Sequence, residues 1–401
     1  MSFLSFNVNK NHIYFLLLFV TYFFRDLMRE LTNYLLKDKF FIFGNSHIVK
    51  RHLIDIYFLT PSYLLAIFPH WIEKKRAHHH RKKNIKQNEE ENNSIELIYN
   101  ERSFMDVPKV LKLLVLTSTF NFIPRIILFF LYYFVDDDSK FTSYPVFSSV
   151  SIVYILATFL LSRIFLSSYF YRHHFVSLAI NIIGLIINIV IDAVNLEQTF
   201  NIILYLLNMA FTVSFSSSVI TAKFVLNYIS PFSVELYIGV IQIFYLVIIA
   251  IPLCFIKRNG ENVFNNFFGI FDAYVTIVYL FNMVFICCYG VFIWIIVNKF
   301  TPNDYALSMM VENMIDKLYE YALTPESFTN NLLISILQIF IFILLIIGIC
   351  IHNEIIVINK WGLDEYIKNN IAKKGDDDFN NTYSMEEVNE DGTTEMTLNV
   401  K

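Results

Sequence analysis

The chain has 401 residues, of which 56% are hydrophobic and 17% aromatic, and its mean hydropathy is +0.50. These values lie far above those of a soluble globular protein and exclude an ordinary water-soluble domain. The formal net charge is only −4, so the placement of charges along the chain matters more than their sum. Because a helix of about 20 apolar residues satisfies its own backbone hydrogen bonds within lipid, we predict a polytopic α-helical membrane protein.

Ten apolar segments are long enough to cross a bilayer as helices. In chain order they cover 11–34, 48–71, 108–135, 146–167, 174–194, 201–226, 232–256, 269–297, 303–323 and 331–357. The first and the ninth carry several ionisable residues, and a helix this charged lies at the membrane surface or faces protein and water. The sequence therefore predicts an all-α membrane protein with eight to ten spans, and we expect about ten transmembrane helices.

The charges that flank the segments predict their orientation, because cytoplasmic connections carry an excess of lysine and arginine. The connection 72–107 holds eight such residues: Lys74, Lys75, Arg76, Arg81, Lys82, Lys83, Lys86 and Arg102. The connections at 136–140, 195–199 and 324–327 are short and poor in them, whereas Lys257–Arg258 goes against the pattern. The balance predicts that both termini are cytoplasmic.

Composition divides the chain into a membrane domain, 1–357, and an acidic tail, 358–401, which is predicted to be disordered and cytoplasmic. Within the cytoplasmic loop 72–107, the basic stretch 74–86 is expected to meet the anionic headgroups of the lipid bilayer, and we predict no nucleic-acid partner. The four cysteines all lie inside apolar segments, and their spacing matches neither a disulfide framework nor a zinc site. We predict no cofactor and no metal.

Histidine patterns bear on whether the protein is an enzyme. His78–His80 form a triplet in the basic loop, and His173 and His174 form a pair. Neither group has the three- or four-residue spacing that places two imidazoles on one helical face as metal ligands. The chain has only 10 glycines, and we find no phosphate-binding glycine loop or nucleophile elbow. The sequence therefore predicts a protein that is not an enzyme.

Two stretches carry a family resemblance. Residues 148–195 read as a helix, a tight basic turn and a helix with the motif I-I-G-L-I-I. Residues 216–244 follow with small residues, then Lys223, then a short turn at Ser230–Pro231 before the next helix. In this order and spacing the chain resembles the drug/metabolite transporter superfamily, which holds the nucleotide-sugar and triose-phosphate carriers.

The end of the chain strengthens this resemblance, because I-I-G-L-I-I-N at 182–188 is echoed as I-I-G-I-C-I-H at 346–352. The resemblance implies two inverted five-helix repeats, about 11–194 and 201–357. It implies a secondary transporter that moves a small-molecule solute, polar or anionic, by alternating access, with a nucleotide sugar or a phosphorylated metabolite as the default. It also implies an endomembrane location and is compatible with a homodimer.

Ionisable side chains inside the spans are the candidate substrate-binding residues, because their burial in lipid is costly unless they are paired or hydrated. Arg125 lies mid-segment beside Asn121 and Pro124, where a proline-weakened helix and a planar guanidinium could bind an anion. Glu312 and Asp316 are four residues apart and therefore share one helical face. We predict that Arg125 pairs with one of these two acids in the substrate-free state.

Each candidate has a structural alternative. Arg125 also suits a snorkelling side chain or a structural partner of an acid, and Glu312 and Asp316 suit the polar face of a surface helix. Lys223 matches the family pattern as a substrate-binding residue, but it lies near a span end, where a lysine tip reaches water. The charged run 25–30 can pair within its own helix at three- and four-residue spacing.

A second functional hypothesis stays open. The fourth segment is nearly apolar down to Arg163, whereas carriers of the family that this chain resembles usually hold polar or basic residues there. The alternative to a transporter is a non-transporting membrane scaffold or partner subunit with a degenerate carrier fold. Uptake into proteoliposomes separates the two hypotheses.

Overall fold

A computed structural model describes most of the predicted membrane domain. The described residues are 4–6, 12–36, 62–76, 108–124, 145–168, 170–195, 202–253, 257–258, 261–262, 273–323, 332–361 and 363. Within them the chain forms ten helices: α1 (Ile13–Leu36), α2 (67–76), α3 (108–124), α4 (Pro145–Phe165), α5 (Arg172–Asn195), α6 (Ile202–Val225), α7 (Pro231–Leu253), α8 (Ala273–Lys299), α9 (Pro302–Leu323) and α10 (Leu332–His352). Antiparallel pairing joins β1 (Leu4–Phe6) to β4 (Ile356–Ile358) and β2 (Lys257–Arg258) to β3 (Glu261–Asn262).

The predicted all-α class is confirmed, and each of the ten predicted segments overlaps one of the ten helices, although α2 shares only residues 67–71 with the predicted segment 48–71. Local sequence explains several of the boundaries. Pro145, Pro231 and Pro302 are the first residues of α4, α7 and α9, where a fixed φ and a missing N–H fit the first helical turn. Parts of the second and third predicted segments, 48–61 and 125–135, lie outside the described residues.

All ten helices have one terminus at the same end of the bundle. β1 precedes α1 and β4 follows α10, and Leu4 pairs with Ile358 in the ladder that joins them. At the same end, the Lys223 ammonium at the end of α6 donates to the Val297 carbonyl near the end of α8, 2.7 Å away. Consecutive helices therefore run in alternating directions. The starts of the odd-numbered helices and the ends of the even-numbered helices lie together in this region. We name it the basic end.

Two further contacts connect α2, α3 and α7 at the basic end. The Ser230 hydroxyl before α7 donates to Glu73 Oε2 near the end of α2, at 2.6 Å. The Lys109 ammonium at the start of α3 lies over the Tyr228 ring, 5.4 Å from its centroid. These contacts hold the turn between α6 and α7 against α2 and α3.

Much of the outer surface of the bundle is apolar. Among the described residues, Pro231–Ile248, Thr276–Lys299 and Ser335–His352 are long and apolar enough to cross a membrane, and three shorter apolar helices accompany them. Large side chains such as Leu333 and Phe244 are 82% and 65% exposed. An exposed apolar surface of this extent suits contact with lipid rather than with water.

Helix α9 lies inside the bundle, although it is the least apolar of the long helices. It packs against α4, α8, α10 and α1. Side chains on several of its faces are buried, among them Tyr305, Leu307, Met310 and Glu312. This position argues against the alternative in which α9 lies flat on the membrane surface.

Helices α5 and α10 cross at the two glycines of the echoed motif. A Cβ atom on Gly184 would lie 2.8 Å from the Leu345 side chain, and one on Gly348 would lie 2.6 Å from the Asn181 amide. The Ser177 hydroxyl also donates to the Gly348 carbonyl at 2.6 Å. The missing side chains therefore allow the two backbones to approach closely.

Candidate functional site

A polar cluster lies inside the bundle where α1, α4, α8 and α9 meet. We name it the central cluster, and its members are Tyr22, Arg25, Tyr154, Tyr289, Tyr305 and Glu312. Helix geometry brings them together, because Tyr22 and Arg25 are three residues apart on α1, and Tyr305 and Glu312 are two turns apart on α9. α1 packs along α8 over much of its length, which places Arg25 beside Tyr289.

The Glu312 carboxylate is buried and bound by tyrosine. Its side chain is only 5% exposed, and its Oε1 accepts a hydrogen bond of 2.6 Å from the Tyr289 hydroxyl. That hydroxyl lies 3.4 Å from the hydroxyl of Tyr305. Tyr154 of α4 also interacts electrostatically with Glu312. A buried carboxylate needs such donors and a positive charge nearby, because burial removes it from water.

The positive charge comes from Arg25. Its guanidinium carbon lies 4.2 Å from the centroid of the Tyr22 ring and 4.5 Å from that of Tyr289, so the group is held between two aromatic faces. The guanidinium interacts electrostatically with Glu312 and with its neighbour Asp26. The Arg25 side chain is half-buried. The cluster therefore combines a planar donor, a carboxylate and aromatic hydroxyls, which are the groups that recognise a polar or anionic solute.

Five residues were predicted from the sequence as the substrate site, and the structure places them differently. Glu312 belongs to the central cluster. Asn121 is buried on α3, where its Oδ1 lies 3.3 Å from Gln242 Nε2 of α7. Arg125 and the side chain of Asp316 lie outside the described residues, so the predicted pairing of Arg125 with an acid stays a prediction.

Lys223 caps the end of α8. Its ammonium donates to the carbonyl oxygens of Val297, Asn298 and Phe300, at 2.7, 2.8 and 3.1 Å. These carbonyls have no partner within the helix itself, so a lysine there satisfies them and complements the helix dipole. The arrangement favours a structural role, and substrate binding by Lys223 stays a prediction.

Sequence reasoning did not place Arg25, Tyr154 or Tyr289 in the candidate site, whereas the helical period of α9 already put Tyr305 on the face of Glu312. The charged run 25–30 suggested pairing within α1 at three- and four-residue spacing, and this stays a prediction because the side chains of Arg29 and Glu30 lie outside the described residues. The ring contacts of Arg25, however, depend on how α1 packs on α8. The chain has 24 tyrosines, so the residue type alone could not identify Tyr154 and Tyr289. The available signal was the three-residue spacing of Tyr22 and Arg25, at the point where the apolar run 13–24 meets the charged run 25–30.

A second buried carboxylate lies between α7 and α8. Glu235 is 1% exposed, and its Oε2 accepts a hydrogen bond of 2.5 Å from the Trp294 indole N–H. Gly290 makes room for it, since a Cβ atom there would overlap Glu235 Oε1. No group of three or more histidine, cysteine, aspartate or glutamate residues within the described ranges is arranged to hold a metal ion.

Comparison with known proteins adds no family assignment. No protein-family model matches the chain, and no curated protein matches it. The resemblance to drug/metabolite transporters therefore stays a prediction from the sequence motifs.

Proposed function

We propose that this protein is a secondary transporter that moves a small polar or anionic solute across a membrane by alternating access. The observation that carries the proposal is the central cluster, in which Arg25, Tyr289 and Glu312 meet inside the bundle. Ionisable groups inside membrane proteins are costly to bury, so they are typically retained for a function. A solute pathway is the function that this meeting of helices from both halves of the chain supports.

The origin of the cluster supports the same proposal. Arg25 and Tyr154 come from α1 and α4 in the first half of the chain, and Tyr289 and Glu312 come from α8 and α9 in the second half. Transporters built from repeats bind their solute between the repeats, where relative motion of the halves changes access. A site shared by both halves fits that mechanism.

The crossing of α5 and α10 supports two inverted repeats. Gly184 faces Leu345, and Gly348 faces Asn181. Gly348 follows Gly184 by the same number of residues as Leu345 follows Asn181. If each residue is replaced by its equivalent in the other half of the chain, the Gly184–Leu345 contact therefore becomes the Gly348–Asn181 contact. Such reciprocity is expected where two related, antiparallel elements cross on a two-fold axis.

A second pair of contacts follows the same exchange. α1 packs on α8, and the equivalent pair after exchange is α6 on α3. The Ser218 hydroxyl of α6 donates to the Thr117 carbonyl of α3 at 3.1 Å, and Ser214 donates to the Phe120 carbonyl at 3.0 Å. We therefore assign the first repeat to α1–α5 and the second to α6–α10.

The proposed orientation places the basic end in the cytoplasm. Arg163, Lys223 and Lys299 lie in the last turns of α4, α6 and α8, and the positive-inside rule assigns such an end to the cytoplasmic side. The Lys223 cap, the Ser230–Glu73 hydrogen bond and the β1–β4 ladder close this end. Release of a solute into the cytoplasm then requires these contacts to break.

Arg25 and Glu312 suggest how the solute is bound. An anionic solute can replace the Glu312 carboxylate as the partner of the guanidinium, whose planar fork matches carboxylate and phosphate oxygens. The tyrosine hydroxyls offer hydrogen bonds to neutral polar groups of the same solute. A nucleotide sugar or a phosphorylated metabolite is the substrate class that the sequence resemblance suggests.

Uptake into proteoliposomes tests the proposal. The purified full-length chain is reconstituted and offered a panel of radiolabelled nucleotide sugars, phosphorylated metabolites and neutral polar metabolites. We expect saturable uptake of at least one compound, with strong loss in Tyr289→Phe and Glu312→Gln. Tyr274→Phe is the matched control, because Tyr274 lies on the same helix and is 77% exposed.

The scaffold alternative predicts a different outcome. A folded, reconstituted protein that takes up no compound on the panel, and that co-purifies with a stable partner, contradicts the transporter proposal. Equal uptake by wild type and Glu312→Gln would show that the solute binds outside the central cluster.

A further inference from the structure

Three histidine rings lie side by side at the basic end, where α5 and α9 begin and α10 ends. The ring centroids of His173 and His174 are 4.0 Å apart, and those of His174 and His352 are 4.6 Å apart. Two carboxylates, on Asp304 and Glu354, flank the row. We name these five residues the histidine cluster.

Each carboxylate faces one of the outer histidines. His352 Nε2 lies 3.3 Å from Asp304 Oδ1, and His173 Nε2 lies 3.7 Å from Glu354 Oε1. All four of these residues are buried. An imidazole is charged only when protonated, so each pair is an ion pair in one protonation state and a weaker contact in the other.

A backbone hydrogen bond fixes the tautomer of His174, the middle ring of the row. The backbone N–H of Tyr171 donates to His174 Nδ1 at 3.1 Å, so this nitrogen is an acceptor and the ring carries its proton on Nε2. Protonating His174 fully would break that hydrogen bond and place a third positive charge beside two others. His174 is therefore the neutral middle ring, and His173 and His352 are the rings that face the two carboxylates.

The backbone at Glu354 supports a role for its side chain. Glu354 has φ of 57°, and the Ile355 N–H donates to the Cys350 carbonyl at 2.9 Å to close the end of α10. Glycine is the usual residue at this left-handed position after a helix, because it bears no Cβ. Here the position holds Glu354, whose carboxylate faces His173. A residue with a Cβ atom is strained in this backbone conformation, so the carboxylate lies beside the imidazole at the cost of local backbone strain.

Other charged and polar groups face the cluster from neighbouring helices. Asp304 Oδ2 accepts hydrogen bonds from the backbone N–H and the hydroxyl of Thr301, at 2.7 and 2.6 Å. Lys223 of α6 interacts electrostatically with Asp304. Arg163 of α4 donates to the Ser168 carbonyl in the turn that precedes α5. Among these side-chain types, imidazole is the one whose ordinary titration lies nearest to neutral pH.

We propose that the histidine cluster is a proton-binding site that locks the basic end. Protons on His173 and His352 balance the buried carboxylates of Glu354 and Asp304 and hold α5, α9 and α10 together. When these protons leave, two buried carboxylates lose their cationic imidazole partners, and the end of α10 separates from its neighbours. The proposal goes beyond transport and does not depend on it, because the lock follows from the cluster alone.

Hydrogen–deuterium exchange of the full-length protein in nanodiscs tests the lock. Exchange of backbone amides in 349–358 is measured at about pH 6 and about pH 8, on either side of the ordinary titration of imidazole. Rates are normalised for the intrinsic effect of pH on exchange. In the wild type we expect roughly tenfold faster normalised exchange at the higher pH, equivalent to loss of one ion pair.

His352→Gln should exchange fast at both pH values, because glutamine cannot take up the proton. His70→Gln is the matched control and should behave as wild type, since His70 lies on α2 and contacts Ser233 outside the cluster. If His352→Gln does not fold, Glu354→Gln serves instead and should show a smaller change between the two pH values. Normalised exchange that is equal at both pH values in the wild type, or a pH response that survives in both cluster variants, overturns the proposal.

Discussion

The central cluster and the histidine cluster both bury a carboxylate beside a nitrogen base, but the bases differ. Glu312 is bound by a tyrosine hydroxyl and faces an arginine. Asp304 faces the imidazole of His352. Arginine stays charged over the whole physiological range, whereas imidazole gains and loses its proton within it. The first cluster therefore presents a constant charge to a ligand, and the second changes its charge with pH.

The positions of the two clusters fit this difference. The central cluster joins helices from both halves of the chain, where a solute bound between the halves would be held. The histidine cluster joins the ends of three helices, where small changes in packing decide whether the basic end is closed. In the proposed transporter, solute binding and closure of the basic end would depend on separate residues, so a substitution could change one without the other.

The largest effect is expected from Arg25→Met, which leaves Glu312 buried without its arginine. Because Arg25 is half-buried, we expect a loss of about 2–3 kcal/mol in the free energy of unfolding, from the two lost ring contacts and from the buried Glu312 carboxylate left without a nearby positive charge. The loss should be equal at about pH 6 and about pH 8, because no imidazole proton is involved. Thermal unfolding in nanodiscs measures both quantities.

The double variant Arg25→Met with Glu312→Gln is the control for that prediction. It removes both charges together and should recover much of the lost stability, since the two residues act as a pair. A double variant that is less stable than Arg25→Met alone would show that the two residues do not act together.

A smaller effect is expected from Trp294→Phe, which extends the comparison to Glu235, a buried carboxylate outside both clusters. Glu235 receives the Trp294 indole N–H, and the substitution removes that donor while keeping an aromatic ring. We expect a loss of about 1–2 kcal/mol in the free energy of unfolding, as for other hydrogen bonds to charged groups. Chemical denaturation in detergent measures it, and Glu235→Gln in the same background should restore part of the stability.

The smallest of these effects is expected from Lys223→Gln. The lysine satisfies three carbonyls at the end of α8, and such a cap contributes about 0.3–1 kcal/mol. Thermal stability should fall slightly, while the KM for the transported solute stays unchanged. A raised KM at normal stability would instead indicate that Lys223 binds the solute, as the sequence predicted.

The sequence predicted the helices well because hydropathy and proline act locally. Pro231 and Pro302 mark helix starts without any knowledge of the fold, and the glycines of the echoed motif, Gly184 and Gly348, meet at one crossing. The partners of Arg25 could not be predicted in the same way. They depend on the packing of α1 against α8, which joins distant parts of the chain and is decided by the whole bundle.

The histidine cluster illustrates the same limit. His173 and His174 are neighbours in sequence, and their spacing argued only against metal binding. His352 joins them because α5 and α10 cross through small residues, so the third ring and its carboxylate come from a contact that spacing does not encode. Side chains that gain their role from such crossings require the structure.

The central claim is that the Arg25 guanidinium binds the solute, and the initial rate of uptake by Arg25→Lys tests it most directly. Lysine keeps the positive charge near Glu312 but lacks the planar fork that grips a carboxylate or phosphate. Arg163→Lys is the matched control, because Arg163 is exposed and donates a hydrogen bond of 2.9 Å to the Ser168 carbonyl, outside the central cluster. We predict that Arg25→Lys unfolds near the wild-type temperature and takes up solute at least about tenfold more slowly, a change of 1.4 kcal/mol in transition-state free energy. Uptake by Arg25→Lys at the rate of wild type and Arg163→Lys would contradict the claim.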